Sequence, residues 1–345
     1  MRILAITAMR DEGPHLLEWI AHHLAAGVDH FLIFSNACSD GTERMLDLMA
    51  GAGIVTHLPL APEPAAARPV QWRALKAAAR HPLYRAADWA VVIDCDEFIN
   101  LAAPLATIGD LIAALPGGTE ALAMEWRLFG NGGRMAPGEG LTVERFTRAA
   151  PDAPPLPLAR FFKSLFRPAA FRAPGVHRPK AREGEAPAWA DGAGRPLGES
   201  FARAGGRINL WGLPPARDLV QLNHYALRSG DEFMAKRRRG LPNHTGRAVD
   251  LGYWAERNFN CVEEKSIARM IPATKARLAD LMALPGLGEL HEEALARHRA
   301  ALARQLRDAD ENRLYLQLAL SAGSTPPPPD FVQGHLARLA AIRGA

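Results

Sequence analysis

Cysteine is scarce. The chain has three, Cys38, Cys95 and Cys261, too few and too scattered for a disulfide framework or a cysteine-type zinc site, so a reducing compartment is expected. Long apolar runs are missing too. The opening run, Ile3 to Met9, is closed by Arg10, Asp11 and Glu12, too soon for a secretory signal, and no uncharged run reaches bilayer length. Neither sign of charge dominates: 41 Lys and Arg stand against 37 Asp and Glu. The pI near 9.1 favours anionic small molecules or an anionic membrane surface as partners. The densest basic run, Lys236 to Arg239, lacks the interleaved aromatics of a nucleic-acid-binding face, so no nucleic acid is expected. No internal repeat is visible. These absences leave a soluble, cytoplasmic protein as the expectation, with peripheral membrane contact at most.

What is present is apolar content and rhythm. With 345 residues, 48% of them apolar, the chain can build one large core or two modest ones. Arg2 to Thr7 reads as a strand, and Pro14 with Asp11 and Glu12 before it suits a helix start. Leu17, Ile20 and Leu24 keep helical spacing up to Gly27. His30 to Phe34 is a second strand, Ile54 to Leu58 a third, with the helix of Met45, Leu48 and Met49 between them. Pro59 to Pro69 is a surface loop, and Val70 to Arg80 a helix. This rhythm predicts parallel strands joined by right-handed crossovers. Further on, Thr107 caps a helix over Ile108 to Leu115, Ala121 to Phe129 is a strand, Arg160 to Arg167 an edge strand, and Leu219 to Tyr225 a short strand ending in His224. Asp152 to Pro157 and Glu183 to Gly198 are rich in Pro and Gly and carry no periodicity. Helices follow over Glu232 to Arg239, Val262 to Met270 and Glu289 to Leu320, and Pro326 to Pro329 breaks the chain before a short tail.

At the centre stands Trp89 to Phe98. Five apolar residues are followed at once by Asp94, Asp96 and Glu97. If the strand stays extended, Asp94 and Asp96 point one way and Cys95 the other. Two aspartates on one strand edge repel unless a cation or a proton lies between them, and carboxylate oxygens suit Mg²⁺ or Mn²⁺. Solvated acids at a strand end are the plainer alternative. Ligands of open parallel sheets sit outside the carboxyl ends of the strands, so the loops after Thr7, Phe34 and Ile93 share one rim.

A set of short motifs occurs in order along the chain: Arg10-Asp11-Glu12, Glu18-Trp19-Ile20, Ser35-Asn36 through Ser39-Asp40-Gly41-Thr42, Asp94 with Asp96-Glu97-Phe98, Trp126 with Phe129-Gly130, and His224-Tyr225. Over roughly residues 1 to 240 this set resembles the family 2-like glycosyltransferases of GT-A, nucleotide-diphospho-sugar fold. The chain departs from that pattern at Asp11, where such enzymes often carry Asn, and at Asn36, where they often carry Asp. The resemblance implies an α/β fold, a GT-A-like Rossmann-type, mostly parallel sheet flanked by helices. A helical C-terminal extension over 241–345 would follow a catalytic domain over 1–240.

The resemblance further implies metal-dependent transfer of a sugar from a nucleotide-diphosphate donor, a UDP-sugar first, to a hydroxyl of a glycan or lipid-linked acceptor. Such work belongs to surface polysaccharide or glycoconjugate synthesis. Asp96 would ligate Mn²⁺ or Mg²⁺, with Asp94 on the metal or the ribose. Asn36 and Asp40 would meet base and ribose, and Thr7 and Arg10 would flank the nucleotide. Asn36 serves equally as an Asx-turn former, and Asp40 as a turn and cap residue. His224 is the candidate third ligand, with His177 competing for that place and a hydrogen-bonded structural histidine as the alternative. Lys236 or Arg239 would reach the diphosphate. Inversion at the anomeric carbon needs a base, for which Glu144 stands first, beside Asp231 and Glu125. Trp126 and Phe129 suit stacking on a sugar or a place in the core. A catalytically silent nucleotide-sugar-binding module is one competing reading. A metal-dependent nucleotidyltransferase is another, ranked lower because the first loop has no Gly before Gly13.

Overall fold

Every residue of β1 (Ile3–Met9) is buried, because alternate side chains feed two different cores. Ile3, Ala5 and Met9 join one apolar cluster, and Leu4, Ile6 and Ala8 the other. A computed structural model, which describes residues 1–61, 69–241 and 248–344, sets β1 parallel to β2 (His30–Ser35), and β2 parallel to β3 (Val55–Pro59). On its other side β1 runs parallel to β4 (Trp89–Val92). The crossovers are α1 (Gly13–Ala25), α2 (Thr42–Gly51), and the pair α3 (Val70–Ala78) and α4 (Pro82–Ala86). Gly27, at φ +95°, ends the first of them. Of the surface loop expected over Pro59 to Pro69, residues 62–68 lie outside the described residues.

Beyond β4 the sheet becomes mixed. β8 (Phe162–Phe166) lies antiparallel between β4 and β6 (Ala121–Leu128), so β6 again runs with β4. The first half of β6 pairs in parallel with β9 (Trp189–Asp191), and β10 (Pro196–Leu197) closes that edge. The second half pairs in parallel with β11 (Val220–His224), which is antiparallel to β5 (Glu97–Leu101). β7 (Arg148–Ala149) and β12 (Val262–Glu263) form a separate ribbon. The short helices α5 (Ile108–Ala114), α6 (Thr142–Arg145) and α7 (Glu199–Arg203) lie in the connections, and Thr107 caps α5 through a reciprocal bond set with Asp110.

Helices make up the rest: α8 (Gly230–Arg239), α9 (Leu251–Ala255), α10 (Ile271–Met282), α11 (Leu287–Gln305), α12 (Ala309–Leu320) and α13 (Pro329–Gly344). Leu281, Leu287, Leu290 and Ala294 share one apolar cluster with Leu16 and Trp19 of α1, so the helical end completes the core on that face of the sheet. The architecture is the α/β one expected, a mainly parallel sheet flanked by helices with a helical C-terminal region. Among the described residues no helix is long and apolar enough to cross a membrane.

Three expectations are corrected. The Arg160–Arg167 stretch is an interior strand, with β4 on one side and β6 on the other. Val262 to Met270 is no helix, because Val262 and Glu263 pair with β7 and only a 3₁₀ turn, Ser266–Met270, follows. Glu289 to Leu320 is two helices, since Asp308 turns out to be an N-cap, accepting from the backbone of Asp310 and Glu311.

Candidate active site

The loops after β1, β2 and β4 meet at the carboxyl ends of the parallel strands. Glu12 N donates to Thr42 Oγ1 at 3.0 Å, Gly13 N to Asp40 Oδ2 at 2.9 Å, and Ser39 N to Asp11 Oδ1 at 2.6 Å. Those bonds fasten the first loop to the second. Arg228 fastens the first to the third: its guanidinium donates to the Cys95 carbonyl at 2.8 Å and lies 4.0 Å from Glu12 Oε2. Arg228 has φ +56°, a left-handed conformation uncommon for a side chain of this size.

Asp94, Cys95 and Asp96 do not continue β4. Glu97 N donates to the Asp94 carbonyl at 3.0 Å, closing a turn between β4 and β5, so the two aspartates do not share a side as an extended strand would require. Asp94 Oδ2 accepts from Lys163 Nζ at 2.8 Å and Oδ1 from Gln71 at 2.9 Å. Asp96 Oδ2 accepts from Lys236 Nζ at 2.6 Å. Cys95 is packed in the core. Lys163 is fully buried on β8 and also lies 3.3 Å from Glu97 Oε2. Burial works against its charge, but Asp94 and Glu97 outweigh that and raise its pKa. Glu97 accepts from Trp126 Nε1 at 2.7 Å, and burial pushes its carboxyl up to about 8 against the pull of Lys163.

Asp96 has the opposite fate. Burial alone would raise its carboxyl, yet Lys236 and His224 hold it well below the usual carboxylate range. His224 arrives by register: it is the last residue of β11, directly opposite Glu97, and the next residue, Tyr225, donates its N–H to the Asp96 carbonyl at 2.8 Å. Its Nε2 is 3.6 Å from Asp96 Oδ1, longer than a hydrogen bond. Its buried Nδ1 has no partner, and its ring lies 4.1 Å from that of Trp126. Burial lowers its pKa despite Asp96, so the imidazole is neutral at pH 7.

Helix α8 brings the cations. Ser229 caps it, with Glu232 closing the capping box and pairing with Arg145 at 2.9 Å. From there Lys236 turns inward onto Asp96 and Arg239 onto Glu12, while Arg237 pairs with Glu311 at 2.8 Å and Arg238 is exposed. Gly240, at φ +77°, ends the helix. Gly246, the next glycine in the sequence, lies outside the described residues.

The remaining candidates are spread more widely. Thr7 is buried at the end of β1 with Oγ1 unpartnered. Arg10 is exposed and donates to the Arg239 carbonyl at 3.5 Å. Asn36 is half-buried on the second loop. Asp40 is buried, with Thr42 on Oδ1 and Gly13 and His298 on Oδ2. Burial opposes ionisation there, but His298 and Thr42 bring the carboxyl down to about 2. A depressed carboxylate adds stability that is complete above its unfolded value near 3.8 and is lost as pH falls toward 2. Asp40→Asn should therefore cost about 2 kcal/mol at pH 7 and less in acid, measured by denaturation at pH 7 and pH 3. Glu144 accepts from Leu141 N and from Lys275, at 3.0 and 2.6 Å, and shares no partner with Asp94, Asp96 or His224. Asp231, at the start of α8, accepts from the Tyr315 hydroxyl at 2.7 Å. Glu125 is buried between Arg160 and Arg217. Phe129 is core, its ring tilted against that of Tyr225 at 4.6 Å between centroids.

Among the described residues no group of three or more His, Cys, Asp or Glu side chains is arranged to hold a metal ion. Asp96 and His224 are a pair whose spacing suits one. Bonds of about 2.1 Å place two donors on a cation about 3.0–3.6 Å apart.

Residues 10–185, just over half of the chain, match glycosyltransferase family 92. The chain belongs to glycosyltransferase family 92. Its motifs resemble those of family 2-like enzymes, and the family that matches is 92. No curated protein matches the chain. Among solved structures it is similar to S. aureus TarS 1-349, at 13% identity over 93% of this chain and 91% of that one, with TM-score 0.36. The same protein in complex with UDP gives 12% identity over 89% and 91%, with TM-score 0.35. HddC from Yersinia pseudotuberculosis gives 9% over 55% and 89%, with TM-score 0.31. The likeness is loose at these TM-scores.

Several residues at the centre of this family 92 chain escaped the sequence argument: Lys163, Gln71, Arg228 and the roles of Glu12 and Glu97. Lys163 did leave a signal, a single lysine within the apolar Phe162 to Phe166 run. Arg228 left none.

Proposed function

We propose that this glycosyltransferase is metal-dependent and inverting, moving a sugar from a nucleotide-diphosphate donor, a UDP-sugar first, to a hydroxyl of a glycan or lipid-linked acceptor. The observation that carries this is the pair Asp96 and His224, 3.6 Å apart, one in the turn between β4 and β5 and the other at the end of β11, with Lys236 on the same carboxylate. Mg²⁺ at such sites takes one or two protein ligands and fills its shell with water and substrate phosphate, which fits a two-residue donor set for Mn²⁺ or Mg²⁺. Bound there, the cation would neutralise charge developing on the leaving diphosphate.

The chain's own groups have separable tasks. Asp96 and His224 would hold the cation, the imidazole being neutral and able to offer a lone pair. Asp94, whose two oxygens are taken by Lys163 and Gln71, shapes the turn and faces the ribose side. Lys236 and Arg239, now on Asp96 and Glu12, supply positive charge to the diphosphate from α8. Thr7 near the carboxyl end of β1, with Arg10, Asn36 and Asp40 on the loops after β1 and β2, would flank the nucleoside.

The acceptor hydroxyl must lose a proton. Glu144 and Asp231 are the candidates for that, the first accepting from Lys275 and the second from the Tyr315 hydroxyl. A role in surface polysaccharide or glycoconjugate synthesis, on the cytoplasmic side with peripheral membrane contact, is consistent with a lipid-linked acceptor. A hydrolysis and calorimetry screen of UDP-, GDP- and dTDP-sugars with and without Mn²⁺ tests the reading. One nucleotide class should bind and turn over slowly only with metal. Failure of all three classes to bind with Mn²⁺ present would overturn it.

A further inference from the structure

One histidine near this centre has no task in the reading above. His177 sits in the connection between β8 and β9, in a tight loop whose base is closed by backbone bonds between Arg172 and Lys180, at 2.8 Å, and between Lys180 and Ala173, at 2.9 Å. A Cβ on Gly175 would lie 1.9 Å from the Arg178 carbonyl oxygen, so the turn tolerates no larger residue. Two bonds then pin the loop to β8: Ser164 Oγ donates to the His177 carbonyl at 2.7 Å, and His177 Nδ1 lies 2.9 Å from the Phe162 carbonyl oxygen. A carbonyl only accepts, so the proton is on Nδ1 and Nε2 carries a lone pair. No described residue hydrogen-bonds that Nε2.

The ring is half-buried and stands edge-on to Trp126 and to half-buried Phe161, each at 5.4 Å between centroids. Trp126 in turn lies against His224 and donates to Glu97. Burial and Lys163 bring the His177 imidazole down to about 3, which keeps it neutral and accepting through the physiological range. A rigid aromatic corner with one fixed acceptor suits a sugar ring, which offers an apolar face and hydroxyl donors.

We propose that half-buried Phe161 and His177, backed by the buried Trp126, form a sugar subsite beside Asp96 and His224, in which His177 Nε2 accepts a hydrogen bond from a ring hydroxyl and selects among sugars. This rests on the proposed donor site, and the sugar held there belongs either to the donor or to the acceptor. A pocket built to bond a hydroxyl discriminates strongly against ligands that leave its polar group unpaired.

The test uses the full chain as wild type, His177→Phe, which keeps an aromatic ring without nitrogens, and His177→Gln, which restores an acceptor. UDP alone is compared with UDP-glucose, UDP-galactose and UDP-N-acetylglucosamine by calorimetry with Mn²⁺. Methyl β-D-glucoside and methyl β-D-galactoside are followed by saturation-transfer NMR in the presence of UDP. A donor subsite predicts that the preference for one UDP-sugar over UDP falls tenfold or more in His177→Phe and recovers partly in His177→Gln, with UDP affinity unchanged. An acceptor subsite predicts the same pattern in the glycoside signal. Where His177→Phe does not fold, Phe161→Leu takes its place, with loss of the same preference expected. A folded variant with both readouts unchanged would overturn the subsite. If wild type binds no UDP, the donor reading fails, and the glycoside arm alone decides: a signal lost in His177→Phe supports the subsite, and no wild-type signal sinks it.

Discussion

Lys163→Met should lower stability by about 3–5 kcal/mol, the range found when one partner of a buried ion pair is removed. Methionine nearly matches the aliphatic stem, so the loss is one of charge and hydrogen bonds more than of volume. Lys163 is fully buried with Asp94 at 2.8 Å and Glu97 at 3.3 Å. At pH 7 the cost should sit near the lower bound, because Glu97, raised to about 8 by burial against Lys163, still holds its proton. The difference should then grow in alkali. A carboxyl with a raised folded pKa gives stability below its unfolded value near 4.5 that is lost as pH climbs through the folded value. In wild type that loss is complete just above pH 8. Without Lys163 the folded value lies higher, so the loss continues and the variant weakens further between pH 8 and pH 9.5. Urea unfolding at pH 7 and pH 9.5 reads both effects. Equal stability of the two proteins at both pH values would mean that Asp94 and Glu97 relax into water at little cost.

The same residue shows where sequence reasoning stops. β1 to β4 are legible because buried parallel strands are short apolar runs between helical periods, and their partners follow in chain order. His224 is legible for a similar reason, a histidine ending an apolar run. Lys163 is not, since lysine in a strand normally points to water, and poor alternation along Arg160 to Arg167 makes β8 look like an edge. Its counter-charges come from the turn after β4, sixty-nine residues earlier, and no local rule connects the two. Asp94 to Asp96 look like a continued strand because the turn closes through Glu97 N, a backbone bond that leaves no mark on composition. β9, β10 and β12 are two or three residues long and exist only through distant partners. Period-based arguments have nothing to act on there.

Asp96→Ala should abolish metal-dependent donor binding and lower transfer by on the order of 10²–10³ or more, as loss of an electrostatic stabiliser of a leaving group does. Two things change at once, since the substitution removes a proposed metal ligand and also leaves the Lys236 ammonium, whose side chain is 11% exposed, without its carboxylate. The second effect alone destabilises. It can be separated from the first by Asp96→Ala combined with Lys236→Met, which removes both charges of the pair. That double variant should regain much of the stability lost in the single one while still binding no donor through Mn²⁺. Cys95→Ala is the control. Its thiol is packed in the apolar core, and only its backbone carbonyl is used, by Arg228. It should cost about 1 kcal/mol for the lost packing and leave metal-dependent binding intact. Titration of Mn²⁺ with UDP into the four proteins gives the answer. Wild-type affinity in Asp96→Ala would move the metal away from this carboxylate. Restored metal-dependent binding in the double variant would show that the unpaired lysine, rather than a missing ligand, had blocked the site.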